Sequence, residues 1–346
     1  MTVNVALFGY GLAGANFHAP LVALDSRFRL TRVVTSRRDE VARDYPQATV
    51  STDADSVVAA SDIDLVVIAT PNKTHAPLAR AALLAGKHVV VDKPFVPEPA
   101  EGGALITLAK ERGRMLTVFH NRRWDADFLT VARLIREGRL GEVNHAELRW
   151  DRFRLAIRPG WKELPDEGTG LLADLGPHLI DQALLLFGNP DTITGDVASQ
   201  RIGTLVDDYF DLTLHYGAKR VILSASTLVA EPRPRFALHG NEGSFIKYGI
   251  DPQEDWMRAG NTPRDQGYGI EPAAAYGMLT GADGRREPVP SERGDWPAFY
   301  RKVADAILDG APPPVDPEDA ITGLKIIECA RRSARDGRSL RFTSDT

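Results

Sequence analysis

Val3-Asn4-Val5-Ala6-Leu7-Phe8, running directly into Gly9-Tyr10-Gly11-Leu12-Ala13-Gly14, is the stretch on which the reading of this chain turns. A short apolar run of strand length meets a Gly-x-Gly-x-x-Gly turn, and a helix-length segment opens behind it at Ala15-Asn16-Phe17-His18. In that setting the three glycines serve different ends, namely a tight turn, close approach of the backbone to a pyrophosphate, and packing of helix against strand. The helix start adds backbone N–H groups and a positive dipole end suited to phosphates. Gly9, Tyr10, Gly11, Leu12, Ala13 and Gly14 are therefore the first candidate cofactor-binding residues. A glycine-rich turn without a ligand is the bland alternative, and the rest of the chain must decide between them.

Working outward, apolar runs at 3–8, 29–34, 65–69, 88–91 and 115–119 alternate with amphipathic stretches such as 76–85 and 98–111. Strands separated by helices demand a parallel sheet covered on both faces, because each crossover carries its helix back over the sheet. This predicts an α/β, doubly wound Rossmann domain over residues 1–121. Beyond it the pattern changes. A helix at 125–137, a strand at 142–152 and a helix at 170–187 precede strands at 192–200, 209–215, 220–227, 235–238 and 244–248, joined by glycine-containing turns. Such a run predicts a mostly antiparallel, open-faced sheet with helices on one side, an α+β domain over 122–346. Residues 251–295 are rich in Gly, Pro and charge and read as a long surface loop with fragments of structure, with helices following at 296–309 and 317–334.

The chain has 346 residues, enough for about two domains. Hydrophobic residues at 43% and charged residues at 26% place it among globular proteins rather than disordered or fibrous ones. A net charge of −5 with no long basic run argues against nucleic acid and anionic membrane as partners. No segment reaches the roughly 18 uninterrupted apolar residues of a membrane span, and no Lys or Arg precedes Arg27, so the expectation is a cytoplasmic protein without a secretory signal. Cys329, the one cysteine, sits beside Ile326, Ile327 and Ala330 and reads as an inert thiol in a reducing compartment.

The second strand ends Val33-Val34-Thr35-Ser36-Arg37-Arg38, where an NAD site usually places a carboxylate for the ribose hydroxyls. A carboxylate there would repel a 2′-phosphate, whereas Ser36 and Arg37 can grip it through charge-assisted hydrogen bonds, so NADP is expected ahead of NAD. Ser36 can also serve as a cap for the next helix. The strand at 88–91 delivers Asp92-Lys93-Pro94 to the carboxyl edge of the sheet, where such sheets bind ligands. Further on, Asp174-Leu175-Gly176-Pro177-His178 sets an acid and a histidine four residues apart, on one helix face and able to point into one cleft. Such a pair could bind a metal, but no third and fourth ligand stands nearby in the sequence, so none is expected.

Taken together, these motifs resemble the Gfo/Idh/MocA family of NAD(P)-dependent oxidoreductases, whose members carry Glu-Lys-Pro after the fifth strand and an Asp-x-Gly-x-His signature. Asp92 stands here in place of the Glu. Within the family the resemblance is nearest to the NADP-dependent scyllo-inositol dehydrogenase group and covers nearly the whole chain. It extends to Phe17-His18, Thr35 to Arg37, His120 to Asp125, Asp174 to Gln182 and Ser244 to Asp251. The resemblance implies a cis Lys93-Pro94 bond and places Thr70, Pro71, Asn72, His75 and Asp92 beside the cofactor. From the residues alone, Asn72 or Thr74 can equally cap a helix, and His18 can either face the pyrophosphate or substrate or be a packed helix histidine.

The implied activity is reversible oxidation of a secondary alcohol on a polyol, cyclitol or sugar. His178 would be the general base, since an imidazole's ordinary pKa near 6.5 suits that role; Asp174 would orient it or the substrate, and Lys93 would stabilise charge on the reacting oxygen. Asn121, Arg122, Arg152 and Trp161 are the substrate-side candidates, although Arg152 and Arg154 alternate along a strand as residues of a solvated face also do. Relatives pack the open sheet face against another subunit, which implies a homodimer or a tetramer. The rivals are a dehydrogenase or reductase of another sugar or carbonyl, an aldose oxidoreductase that retains its cofactor, and a non-catalytic NADP-binding regulator.

Overall fold

The computed structural model describes residues 2–157, 160, 163–165 and 168–343. Two compact units make up the chain: residues 1–124, 252–268 and 295–321 form the first, and 125–251, 269–294 and 322–346 the second.

In the first unit β1 (Val3–Phe8), β2 (Phe28–Val34), β3 (Thr49–Ser51), β4 (Leu65–Ile68), β5 (His88–Val91) and β6 (Leu116–Val118) form a sheet in the order β3-β2-β1-β4-β5-β6. Every pairing in it is parallel. The helices are α1 (Ala19–Leu24), α2 (Arg38–Asp44), α3 (Ala54–Ala59), α4 (His75–Leu84) and α5 (Pro99–Arg112). Val66, Val67, Ile68, Val89, Val90 and Val91 are all fully buried, as strands covered on both faces require. The strand order reverses between β1 and β4, so the crevice beyond their carboxyl ends is the natural ligand position of this topology. The three-residue edge strand β3 is too short to show a period-2 signal in the sequence.

The second unit opens with α6 (Ala126–Arg136), β7 (Val143–Arg149) and α7 (Leu171–Phe187), followed by β8 (Thr192–Ala198), β9 (Tyr209–Tyr216), β10 (Lys219–Ser226), β11 (Phe236–Gly240) and β12 (Gly243–Lys247). Helix α8 (Gln253–Arg258) then belongs to the first unit, β13 (Gly277–Gly281) and β14 (Arg286–Val289) to the second, and α9 (Pro297–Leu308) again to the first. The chain ends with α10 (Pro317–Asp336) and β15 (Leu340–Arg341). Nine strands form one sheet in the order β14-β13-β12-β11-β7-β10-β9-β8-β15. Its pairings are antiparallel except for β7 with β10. Along β9, Phe210, Leu212 and Leu214 are fully buried while Tyr209, Asp211 and Thr213 alternate with them on the polar face.

The reading of 251–295 as a surface loop with fragments of structure understates its order. Residues 277–281 and 286–289 extend the sheet as β13 and β14, and 253–258 form α8. Gln253, Met257, Tyr268 and Glu271 are buried, and Glu271 accepts a hydrogen bond from the buried Lys247 ammonium at 2.9 Å. The misreading has physical causes. Helix α8 is too short to display a helical period, and β14 carries Pro288, which reads as a strand breaker yet is tolerated on an edge strand. Cys329 is half-buried, and burial pushes its thiol pKa up, as an inert side chain requires. No helix among the described residues is long and apolar enough to cross a membrane.

Candidate functional site

The three glycines of the turn differ in their surroundings. Gly9 has φ +93°, and a Cβ there would stand 2.4 Å from the Ala69 carbonyl oxygen, so neither its conformation nor its surroundings admit a side chain. A Cβ on Gly14 would stand 2.1 Å from the Gly9 carbonyl oxygen. At Gly11, by contrast, nothing lies within 4 Å of the added atom, which leaves the main chain open to a ligand. The Leu12 side chain is exposed and Ala13 half-buried. Tyr10 is different: it is buried against Tyr45 and its hydroxyl donates to Asp44 at 2.9 Å, so only its main chain remains for a ligand. The helix that follows is π-helical over Gly14–His18.

At the end of β2, Ser36 and Arg37 are exposed. Arg37 donates to Glu40 at 3.2 Å, and its N–H donates to the Thr35 hydroxyl at 3.1 Å. Helix α2 is capped at Arg37 with no side-chain bond, so Ser36 does not play the capping part.

After β4, Thr74 donates to the Pro71 carbonyl at 2.7 Å, and a hydroxyl has one proton, so Thr70 donates to Thr74 across their 2.6 Å contact. Asn72 is buried in a 3₁₀ turn, and α4 starts without a side-chain cap. His75 is buried with its ring nitrogens 2.9 Å from the carbonyl oxygens of Pro94 and Thr70, tying the loop after β4 to the loop after β5. In that second loop Lys93-Pro94 is cis. The Lys93 N–H donates to Asp92 Oδ1 at 2.8 Å. Burial pushes the Asp92 carboxyl up, yet His18, Lys93 and His75 outweigh it and hold it below its ordinary value. The loops following the carboxyl ends of β1, β2, β4 and β5 thus carry every nucleotide-side candidate. Asn121 is buried in the 3₁₀ turn after β6. Arg122 is buried too, ion-paired with Glu254 and stacked 4.7 Å from the Trp296 ring centroid, an arrangement that anchors α8 rather than offering a free guanidinium.

In the second unit, Asp174 and His178 lie on α7, with Asp174 in its first turn. Gly176 explains the motif's spacing, since a Cβ there would meet Leu172 at 2.8 Å and Ile327 of α10 at 3.8 Å. That face of α7 is packed, and the acid and histidine occupy another. Arg152 stands 3.9 Å from Asp174. The His178 ring lies 5.9 Å from the Trp150 ring at 31°, and Arg235 stacks on the same indole at 5.2 Å while donating to Gln182 at 2.7 Å. Trp161 lies outside the described residues. Sequence reasoning passed over Trp150, Arg235, Glu254 and Tyr300. An arginine beside an aromatic at the start of a predicted strand, as in Arg235-Phe236, is a signal that could have found one of them. Among the described residues no group of three or more His, Cys, Asp or Glu could hold a metal ion.

Residues 3–120 match the oxidoreductase family GFO_IDH_MocA, NAD-binding Rossmann fold, and residues 132–342 match that family's C-terminal alpha/beta domain. The chain is 42% identical over 342 residues to scyllo-inositol 2-dehydrogenase (NADP(+)) IolW of Bacillus subtilis (strain 168), covering 98% of this chain and 96% of that protein. It is 43% identical over 336 residues to the uncharacterized oxidoreductase YdgJ of Escherichia coli (strain K12), covering 96% of each. Among solved structures, that of yvaA from Bacillus subtilis superposes with a TM-score of 0.96 at 41% identity, over 99% of both chains.

Proposed function

The chain belongs to the Gfo/Idh/MocA family of oxidoreductases, and from that premise we propose that it is an NADP-dependent dehydrogenase interconverting a secondary alcohol and a ketone on a cyclitol or sugar, with scyllo-inositol its first candidate substrate. The observation that carries the reading is its identity, along nearly the whole chain, with a relative named for that substrate and cofactor.

The residues present fit a dinucleotide. Gly11 leaves room for close approach where Gly9 and Gly14 have none, and no carboxylate stands at the end of β2 to repel a 2′-phosphate. Gly9 to Gly14 would hold the pyrophosphate, Ser36 and Arg37 the 2′-phosphate, and Thr70, Pro71, Asn72, His75, Asp92 and Lys93 the remainder. Arg37 would exchange its exposed contact with Glu40 for the phosphate at small cost, because such surface pairs contribute about 0.2–1 kcal/mol. The bound cofactor supplies the hydride acceptor.

The chain's own residues then handle the proton. His178 takes it from the reacting hydroxyl, Asp174 orients the hydroxyl or the imidazole, and the Lys93 ammonium hydrogen-bonds the reacting oxygen and stabilises negative charge there. Asn121 and Arg152 contact the substrate. The protein assembles as a homodimer or tetramer, which light scattering coupled to size exclusion reads directly. The test of function is absorbance at the NADPH band on mixing the protein with scyllo-inositol, myo-inositol and aldoses, each with NADP and separately with NAD. Rapid reduction of NADP by scyllo-inositol is expected. No reduction with any of them, despite tight NADPH binding, would overturn the reading.

A further inference from the structure

We propose that His18 is a positioning residue for the reaction: held by Tyr300 on one side, it fixes the Asp92 carboxylate on the other, and through that carboxylate the loop that carries Lys93. The proposal rests on the role assigned to Lys93 above.

Several independent features converge on His18. It is the last residue of the π-helical turn Gly14–His18, and π-turns inside helices recur at functional positions because they re-aim one side chain. The side chain is fully buried. Its Nδ1 lies 2.7 Å from the Tyr300 hydroxyl, and its ring packs on Phe119 with centroids 4.2 Å apart. Its Nε2 has no hydrogen-bond partner and stands 3.8 Å from Asp92 Oδ1. A buried polar atom left in that state is costly, and it persists where the surroundings hold it in place. If Tyr300 donates to Nδ1, the imidazole proton sits on Nε2 and faces the carboxylate.

Asp92 Oδ1 is the shared point of this arrangement. It faces His18 and also accepts the Lys93 N–H at 2.8 Å, so a shift of the carboxylate moves the main chain that carries the lysine. The groups acting on it come from four places: His18 on the π-turn, Lys93 beside it, His75 at the start of α4, and Tyr300 on α9. Burial opposes its charge, and the cationic and donor groups around it prevail. Asp92 therefore keeps its charge through the groups that surround it.

The experiment compares the full-length wild type with His18→Phe, His18→Gln, Tyr300→Phe and Asp92→Asn, measuring kcat against pH and NADPH affinity by fluorescence. His18→Phe is expected to lower kcat by about 10- to 100-fold, the scale of a misplaced reacting group, with NADPH affinity held. It should also move the acid limb of the profile to higher pH, because Asp92 loses a partner that favours its charge. His18→Gln, which keeps a donor facing the carboxylate, should recover most of kcat. Tyr300→Phe should move the limb the same way by less, and it serves where His18→Phe fails to fold. The double variant of Asp92→Asn with His18→Phe should be no slower than Asp92→Asn alone, since the residues act as a unit. An unmoved acid limb, or losses that multiply in the double variant, would overturn the proposal. Should the wild type reduce no cofactor with any polyol, the functional reading fails and the positioning is still measurable. The stability difference between wild type and Asp92→Asn, taken across pH 3 to 7, must then shrink when His18 is replaced, and an unchanged difference would refute the link.

Discussion

Arg37 and His178 make opposite demands on a test. Arg37 is exposed, half of its side chain accessible, and it is ion-paired with Glu40. Removing it should leave the fold alone and act on the cofactor's extra phosphate. Arg37→Ala is expected to raise KM for NADP by tenfold or more, about 1.4 kcal/mol for one charge-assisted contact, with KM for NAD nearly unchanged. Equal loss on both cofactors would remove the phosphate role. His178 is buried on α7 beside Trp150, and His178→Ala should cost about 10²- to 10⁴-fold in kcat while NADPH affinity stays within a factor of about three. Retained turnover would end its assignment as the base. The part played by another histidine shows only in the structure. His88 Nδ1 accepts the Met115 N–H at 2.9 Å, and burial, helped by Arg114, pushes its pKa down to about 4 from the ordinary 6.5. Between those values the unfolded chain binds a proton that the folded chain does not, so stability present above pH 6.5 drains away as pH falls toward 4. His88→Gln, which retains an acceptor, should flatten the fall of Tm across that window; an unchanged slope would show that other groups govern it. Lys93 and His178 became candidates because chemistry and chain position coincide there. The pairing of Arg122 with Glu254 was not legible, because the two lie 132 residues apart and no local pattern announces them.

At the level of elements, the glycine turn after β1 offers a contrast that separates folding from binding within six residues. Gly9→Ala forces a side chain into a left-handed backbone and onto a carbonyl, and Gly14→Ala drives one onto the Gly9 carbonyl. Both should destabilise the fold by more than about 1 kcal/mol, visible as a lower Tm. Gly11→Ala meets nothing, so Tm should hold within about 0.5 kcal/mol of stability while NADPH affinity drops because a methyl now occupies the approach. A Gly11→Ala protein with full affinity would place the pyrophosphate elsewhere. The turn was readable because three glycines, a preceding strand and a following helix all agree on one geometry. The π-helical form of that helix was not readable, since the sequence Gly14-Ala15-Asn16-Phe17-His18 satisfies an α-helical pattern equally well. Edge elements escaped for a related reason. Strand β3 pairs with residues 17 positions earlier, β14 is interrupted by Pro288, and three or four residues carry too little period to announce a strand.

For the whole molecule, alternating strands and helices announced the parallel sheet, but nothing local announced that residues 252–268 and 295–321 return to its unit. The returning segments supply structure that the first 124 residues lack. Phe299 and Tyr300 of α9 pack on Phe119, with ring centroids 4.9 and 6.2 Å apart, and Tyr300 also meets Phe28 at 5.9 Å. Buried Thr117 donates to the Val315 carbonyl at 2.8 Å. Arg27 binds Asp305 at 2.6 Å. Gly102 on α5 has its would-be Cβ 3.1 Å from Ile321, so even the absence of a side chain there is matched to the returning chain. A fragment ending at Trp124 would expose Phe28 and Phe119 together with the apolar face of α5, and it would leave His18 without Tyr300. Exposed apolar surface on an otherwise collapsed chain binds hydrophobic dyes and loses near-ultraviolet dichroism while keeping the far-ultraviolet signal. The fragment of residues 1–124 is therefore expected to show both signs and to bind NADPH at least tenfold more weakly than the full chain, although it holds every nucleotide-side candidate. Adding residues 295–321 behind a flexible linker should restore part of the near-ultraviolet signal by lowering the entropy of recruiting α9. A fragment that binds NADPH with full affinity and a cooperative unfolding transition would show that the sheet and its first five helices carry their own core, and that the returning segments serve the lysine loop alone.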